Sequence, residues 1–196
     1  MTIHRSVQKR IAEIVLALPA LVYLGLIYFC GLYDLPNWRL VLVHTGFIAC
    51  GLFVFLLLLN PVKRLWSNLS FVYFFNKFRR QIGVAIFGYA VLHYIAVIMK
   101  QICKTGGFWP SYLLKVVPFT GFLAFLLLFL LAITSNDYSV RKMGIKRWKQ
   151  LHLWAYVIEG LVMLHLLLQG GQTAFLACII FIPLMAIQLY SRKQSL

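Results

Sequence analysis

Four of the five histidines, His44, His93, His152 and His165, fall within or at the edge of long apolar stretches of this 196-residue chain. An ionisable side chain is costly to bury in such a stretch, so each of these histidines is a candidate functional residue. Neutral imidazole is a ligand of haem iron. Carboxylates, which hard cations and di-iron centres require, are scarce, because the chain has only four acidic residues. Haem ligation is therefore the chemistry that these residue types favour.

The cysteines argue against other metal centres. All four are dispersed along the chain and form no C-x-x-C pair, which argues against iron–sulfur clusters and zinc ribbons. The sequence also lacks C-x-x-C-H, so we expect any haem to be bound without covalent attachment, as b-type haem is.

The elements that must position the histidines are six apolar stretches, each close to the roughly 20 residues that a helix needs to cross a membrane. They cover approximately residues 11–30, 40–59, 82–101, 118–134, 150–168 and 174–190. The composition, 62% hydrophobic and 12% charged, lies far outside the range of soluble domains. The sequence therefore predicts an all-α membrane protein, a six-helix transmembrane bundle that forms one domain over residues 1–196 with no soluble domain.

The basic residues are unevenly distributed between the two sides of these predicted helices. If the N-terminus is cytoplasmic, the outer segments carry Arg39, Lys100, Lys104 and Lys115, and the other fifteen of the nineteen Lys and Arg residues lie inside. An excess of positive charge marks the cytoplasmic side, so we expect both termini there. The net charge of +15 then indicates contact with membrane lipid or an acidic cytosolic partner, and no nucleic acid.

Depth in the membrane separates the histidines into two groups. At about 1.5 Å per residue, His165 lies roughly 20 Å beyond His152 toward the outer face, so the two cannot ligate one iron from the same side. His93 reaches a depth similar to that of His165, which makes His93 and His165 the best bis-histidine pair. His152 lies at the inner edge, where the cluster of Arg79 and Arg80 is expected opposite it.

The helical angles agree with part of this arrangement. Arg79 precedes His93 by fourteen residues, nearly four full turns, so the two side chains face about the same way. His152 and His165, however, lie about 140° apart on an ideal helix, which fits a single seam poorly. Tilt, curvature or two haems on different flanks would relieve this conflict, and both one haem and two haems stay open.

Three further residues have competing interpretations. His44, near the outer surface, is an iron ligand, a partner of a haem propionate, part of a quinone site or an ordinary interfacial histidine. Trp148 stacks near an inner haem or anchors its helix at the membrane interface. Glu159, in the middle of the fifth helix, is protonated, hydrogen-bonded or part of a proton path.

Several sequence motifs together carry a family resemblance. The stretch from Thr134 to Tyr156 contains Thr-Ser, Arg-x-x-Gly, Arg-Trp and Leu-His elements, and Met-Leu-His follows and ends at His165. Further motifs are His-Thr-Gly at 44–46, Phe-Arg-Arg-Gln-Ile-Gly at 78–83 and Val-Leu-His-Tyr at 91–94. At this spacing, over about residues 40–170, they resemble the MsrQ family. MsrQ proteins are the haem-binding membrane subunits of bacterial periplasmic methionine sulfoxide reductase systems, within the ferric reductase-like transmembrane superfamily.

The resemblance implies which residues hold the cofactor. Members of the superfamily hold haem between the third and fifth helices through two histidines on each. By position, His93 and His165 match the outer pair and His152 matches the inner ligand of the fifth helix. The inner histidine of the third helix has no counterpart, and Arg79 stands near its place. Either an inner haem has an unusual second ligand or water, or there is one haem only.

The resemblance also implies a direction of electron flow in the bacterial inner membrane. Electrons would pass from the cytoplasm through haem b to a periplasmic molybdopterin-containing reductase subunit that repairs oxidised methionine. The chain has no G-x-G-x-x-G, so we expect the reductant to come from a cytosolic flavin reductase, bound FMN or membrane quinol. The basic loop from Arg141 to Lys149 is a docking face for the first two, or solvated charge.

Three alternative functions compete with this interpretation. The first is a ferric or quinone reductase-like cytochrome that passes electrons to a small-molecule acceptor. The second is a non-redox small transporter whose histidines transfer protons. The third is a structural membrane subunit whose redox partner works without these histidines.

Overall fold

The structure is a computed structural model that describes residues 2–30 and 35–194, without the side chains of residues 2–6, 26 and 30. Over these residues the chain is helical and contains no β-strand. In chain order the elements are α1 (Thr2–Cys30), α2 (Leu35–Leu65), α3 (Ser70–Asn76), α4 (Arg79–Thr105), a 3₁₀ turn (Pro110–Leu114), α5 (Val116–Ile133), α6 (Asp137–Met143), α7 (Ile145–His152), α8 (Ala155–Gln169) and α9 (Gly171–Lys193).

Within residues 2–30 and 35–194, six helical segments are long and apolar enough to cross a membrane, which confirms the predicted number. They are Val7–Phe29, Leu35–Leu65, Arg79–Thr105, Val116–Ile133, Ile145–Gln169 and Gly171–Lys193. Most extend beyond the predicted apolar stretches, because the helical backbone continues into polar flanks such as Lys63 and Arg64 at the end of α2. The chain is a multi-pass membrane protein. The cytoplasmic position of both termini stays a prediction.

The chain divides into two compact units. The first consists of Met1–Phe53 and Lys77–Trp109, and the second consists of Val54–Asn76 and Pro110–Leu196. His44, Arg79 and His93 belong to the first unit, whereas His152 and His165 belong to the second. The prediction of a single domain over residues 1–196 is not tested by this division and stays a prediction.

In the first unit, α4 packs against α1 and α2. The buried Tyr89 of α4 donates a hydrogen bond to the carbonyl of Leu16 in α1, at 2.6 Å. A small core of Trp38, Val41 and Ala96 joins α2 to α4. Because Val41 precedes Leu42 and Ala96 lies three residues after His93, this core fixes the two helices next to the predicted ligand.

In the second unit, α8 packs against both α5 and α9. Ile158 of α8 and Phe181 of α9 are fully buried, and Ala124 of α5 is nearly so. Glu159 is buried in the same region, with 1% of its surface exposed. The unit therefore encloses a buried carboxyl group.

The predicted fifth helix is interrupted. α7 ends at His152 and α8 begins at Ala155. Across the joint, the N–H groups of Leu153 and Trp154 bond to carbonyls three residues earlier, each at 3.1 Å. Such 3₁₀ turns advance by about 120° per residue, compared with about 100° in an α-helix. The predicted angle of about 140° between His152 and His165 assumed one continuous α-helix, so it does not apply to this interrupted segment.

Candidate functional site

The ring of His93 in α4 is held by the backbone of α2. Its Nδ1 lies 2.8 Å from the carbonyl oxygen of Leu42. A carbonyl oxygen can only accept a hydrogen bond, so Nδ1 carries the hydrogen and donates it. The lone pair of the neutral ring is then on Nε2, the nitrogen that can bind a metal.

Gly46, one turn after Leu42 in α2, leaves the space that this ring occupies. A Cβ atom at Gly46 would lie 2.9 Å from both Cε1 and Nδ1 of His93. A side chain at this position would therefore displace the ring. The adjacent Thr45 is fully buried and donates its hydroxyl to the carbonyl of Val41 at 2.6 Å, within its own helix.

His165 in α8 has the same environment in the second unit. Its Nδ1 lies 2.9 Å from the carbonyl oxygen of Val117 in α5, so this ring also has its lone pair on Nε2. The hydroxyl of Thr120 lies 3.4 Å from the same Nδ1. A Cβ atom at Gly121 would lie 2.9 Å from Cε1 and 3.1 Å from Nδ1.

The two environments share one local pattern, which we call the carbonyl–glycine motif. A carbonyl oxygen binds Nδ1, a threonine follows three residues later, and a glycine follows four residues later. The residues are Leu42, Thr45 and Gly46 for His93, and Val117, Thr120 and Gly121 for His165.

Sequence reasoning noted the Thr-Gly pair at 45–46 within a family motif and missed its role at both positions. A glycine inside a helical pattern, which costs about 1 kcal/mol relative to alanine, is a signal of close approach and could have identified the motif.

His152 is the last residue of α7, and its ring packs on Trp148. The ring centroids are 4.1 Å apart, with 38° between the planes. The Trp148 Nε1–H donates to the carbonyl of Thr134 at the end of α5, at 2.9 Å. Nε2 of His152 is buried. Trp148 therefore orients this predicted ligand, and the ligation of an inner haem by His152 stays a prediction.

Other residues of the family motif shape the chain around Trp148. Thr134 and Ser135 donate their hydroxyls to carbonyls in the last turn of α5, at 2.7 and 2.6 Å. The Asn136 side chain accepts the N–H of Ser139 at 2.8 Å and so caps α6. Gly144, with φ 79° and ψ 150°, adopts a conformation essentially confined to glycine and joins α6 to α7. These residues set the course of the chain between α5 and α7.

His44 and Arg79 lie in different surroundings within the first unit. His44 is exposed, and its Nδ1 is 2.7 Å from the hydroxyl of Tyr23. Arg79 is the half-buried first residue of α4, about 21 Å along the helix from His93. Their proposed roles at the outer and inner sides of the membrane stay predictions.

The donor chemistry of these residues fits haem. Among the described residues, no group of three or more His, Cys, Asp or Glu side chains could hold a metal ion. Haem iron needs only one or two axial ligands, because the porphyrin supplies the others. His93 and His165 each offer a neutral imidazole with a fixed hydrogen on Nδ1 in an apolar helix, which is the state of an axial ligand.

Comparison with known proteins gives a family match. Residues 45–163, well over half of the chain, match the family described as ferric reductase like transmembrane component. Magnetosome protein MamZ of Magnetospirillum gryphiswaldense is 38% identical over 130 residues, which cover 65% of this chain and 19% of that protein.

MamZ of Paramagnetospirillum magneticum is 38% identical over 96 residues, which cover 48% of this chain and 15% of that protein. The aligned part of the chain thus spans about a fifth or less of the length of these relatives. No solved structure gives a significant match.

Proposed function

We propose that this chain, which belongs to the family of ferric reductase like transmembrane components, binds haem b and passes electrons across the bacterial inner membrane. Membership of the family makes the chain a membrane electron-transfer component. Its donor is a cytosolic flavin reductase, with FMN as a carrier, or membrane quinol. Its acceptor is a periplasmic molybdopterin-containing methionine sulfoxide reductase, as in the MsrQ family, whose motifs the sequence resembles.

The carbonyl–glycine motif is the observation that carries this proposal. Leu42 and Val117 hold the Nδ1 hydrogens of His93 and His165, which directs the lone pair to Nε2. The glycine of each motif keeps the ring close to the neighbouring helix. Haem iron, when bound, supplies the one-electron redox chemistry. The chain holds the ligand rings in one tautomer and excludes water from them with apolar helices.

We assign roles to the other predicted residues from their positions in the sequence. We assign His152 and Trp148 to electron entry on the cytoplasmic side. By sequence position in the family, Arg79 stands near the place of the second ligand. We assign His93, His165 and His44 to delivery on the outer side. The basic segment from Arg141 to Lys149 was predicted as a loop, but the structure forms it from the end of α6, Gly144 and the start of α7. We assign this segment as the docking face for the flavin reductase.

Replacement of the two proposed ligands tests haem binding. We expect His93→Ala and His165→Ala each to remove the dominant low-spin haem spectrum of protein purified in detergent. The matched controls are Ile95→Ala and Leu164→Ala, neighbouring residues that are 41% and 43% exposed. Retention of the low-spin spectrum in both histidine variants would contradict the proposal. Counting haem per chain in the same samples decides between one cofactor and two.

The rate of re-oxidation identifies the acceptor. The proposal expects an oxidised periplasmic reductase partner to re-oxidise the reduced protein faster than ferric chelates do. The family description supports a second candidate, a ferric or quinone reductase with a small-molecule acceptor, for which the order of the two rates is reversed. Protein that shows no Soret band after expression with ample haem would favour a transporter instead.

A further inference from the structure

Glu159 differs from the other acidic residues whose side chains the structure describes. Glu13 and Asp137 are exposed, whereas Glu159 is 1% exposed and lies in α8. A carboxyl group is expensive to bury in a membrane, and such groups mark sites of function by default. The proposed haem ligation leaves Glu159 without a role.

The carboxyl group of Glu159 belongs to a buried polar cluster between α8 and α9. Its two oxygens both accept from the Nε2 amide of Gln188, at 3.1 and 3.2 Å. Gln188 and Ser191 are 6% and 1% exposed, and the Ser191 hydroxyl donates to the carbonyl of Gln188 at 2.9 Å. A neutral amide compensates a buried carboxylate only in part, so this carboxyl group is well placed to bind a proton.

The neighbouring titratable and charged groups are few. α5 contains none. Those on α8 and α9 are Tyr156, His165, Cys178, Tyr190, Arg192 and Lys193.

Arg192 lies four residues after Gln188, and its guanidinium carbon is 4.6 Å from the centre of the Tyr156 ring. Tyr190 is exposed and accepts from the side-chain amide of Gln194. Arg192 keeps its positive charge at all working pH values. Within the buried cluster of Glu159, Gln188 and Ser191, the group that can gain or lose a proton is therefore Glu159.

Glu159 is close enough to a proposed haem ligand for their charges to interact. It precedes His165 by six residues on α8, about 9 Å along the helix axis. At this separation, in a medium of low dielectric constant, a change of charge at one position is felt at the other. In such a medium, a positive charge that arrives near the added electron stabilises it.

We propose that Glu159 is the proton-binding site that compensates for electron entry; this inference rests on the proposed haem function. For each electron that a donor delivers to the haem iron, the Glu159 carboxylate binds one proton from water at the Lys193 end of α9. The new O–H bond makes the side chain neutral, so the net charge of the protein is unchanged. When the electron leaves for the acceptor, the O–H bond breaks and the proton returns to water.

Redox titration at several pH values tests this inference. In the wild-type protein we expect the haem midpoint potential to fall as pH rises, because reduction requires a proton that becomes scarcer. Glu159→Gln keeps the size and polarity of the side chain but cannot bind the proton, so its potential should lose this pH dependence. The matched control is Glu13→Gln, which replaces an exposed acid of α1 and should keep the wild-type dependence.

An infrared difference spectrum of the wild-type protein provides a second measurement that needs no variant. Reduction should produce a band of a protonated carboxyl group, and its absence would overturn the inference even if Glu159→Gln failed to fold. An unchanged pH dependence in haem-loaded Glu159→Gln would overturn it too, while leaving the proposed function intact. Wild-type protein without haem would instead contradict the proposed function, and this inference with it.

Discussion

At the scale of single residues, backbone atoms decide the chemistry of the two histidine rings. The carbonyls of Leu42 and Val117 fix which nitrogen of His93 and of His165 carries hydrogen. Such an outer partner also raises the basicity of a ligating imidazole. The orientation of each proposed ligand is therefore set by a neighbouring helix and not by the helix that carries the histidine.

Substitution of the motif glycines tests this dependence. We expect Gly46→Ala or Gly121→Ala to weaken haem binding by about 10–100-fold, the usual effect of disturbing an outer partner of a metal ligand. The added Cβ would stand 2.9 Å from ring atoms of His93 or His165, so the ring must move away from its carbonyl. The measurement is titration of haem into apoprotein in detergent.

Two other glycines are matched controls, since the structure shows open space where their Cβ atoms would be. They are Gly51 in α2 and Gly160 in α8. Gly51→Ala and Gly160→Ala should bind haem like the wild type. Equal affinities in all four variants would show that the motif does not position the rings.

The sequence identified the candidate histidines but not the backbone carbonyls that bind their rings. Imidazole in an apolar stretch is visible in a single sequence, because its cost in a membrane does not depend on its neighbours. The partner of each ring is a carbonyl that any residue possesses, so only the helical glycine four residues later could have indicated its position. The pairing of His44 with Tyr23 is equally invisible, because nothing in the chain indicates that α1 approaches α2 there.

At the scale of elements, the six apolar segments were predictable because hydrophobic length alone determines them. The break at Leu153 and Trp154 was not, since neither proline nor glycine marks it. Trp148 reaches from α7 to the carbonyl of Thr134, a tertiary contact that a single sequence does not reveal. The connection at Gly144 differs from this break, because its backbone conformation is one that essentially only glycine adopts.

Gly144→Ala tests the connection between α6 and α7. A φ of 79° with a ψ of 150° is strained for any residue with a Cβ, so we expect the variant to lose about 1–3 kcal/mol of unfolding free energy. Thermal or denaturant unfolding in detergent measures the loss. Gly160→Ala, a substitution inside α8 without this strain, should not destabilise the protein. Equal stability of Gly144→Ala and the wild type would contradict the expectation.

At the scale of the whole molecule, charge asymmetry is the strongest feature of the sequence. Fifteen of nineteen basic residues fall on one predicted side, and a net charge of +15 on a membrane protein reflects this bias. The orientation determines the direction of electron flow in the proposed function, because it puts His152 on the donor side.

Reporter fusions test the orientation. A reporter that is active only in the cytoplasm should work when fused after Leu196, and alkaline phosphatase, which needs the periplasm, should work when inserted between Gly107 and Phe108. Each reporter placed at the other site serves as the control and should be inactive. The reverse pattern would place both termini outside and would reverse the proposed direction of electron flow.

The carbonyl–glycine motifs have a kinetic consequence. Each ring is tied at Nδ1 to a helix backbone and lies against a glycine, so it cannot turn or exchange tautomers without breaking a hydrogen bond. Groups that are oriented in advance need not rearrange when charge moves. A haem bound to either ring would therefore have a small reorganisation energy, which would make electron transfer fast even with little driving force.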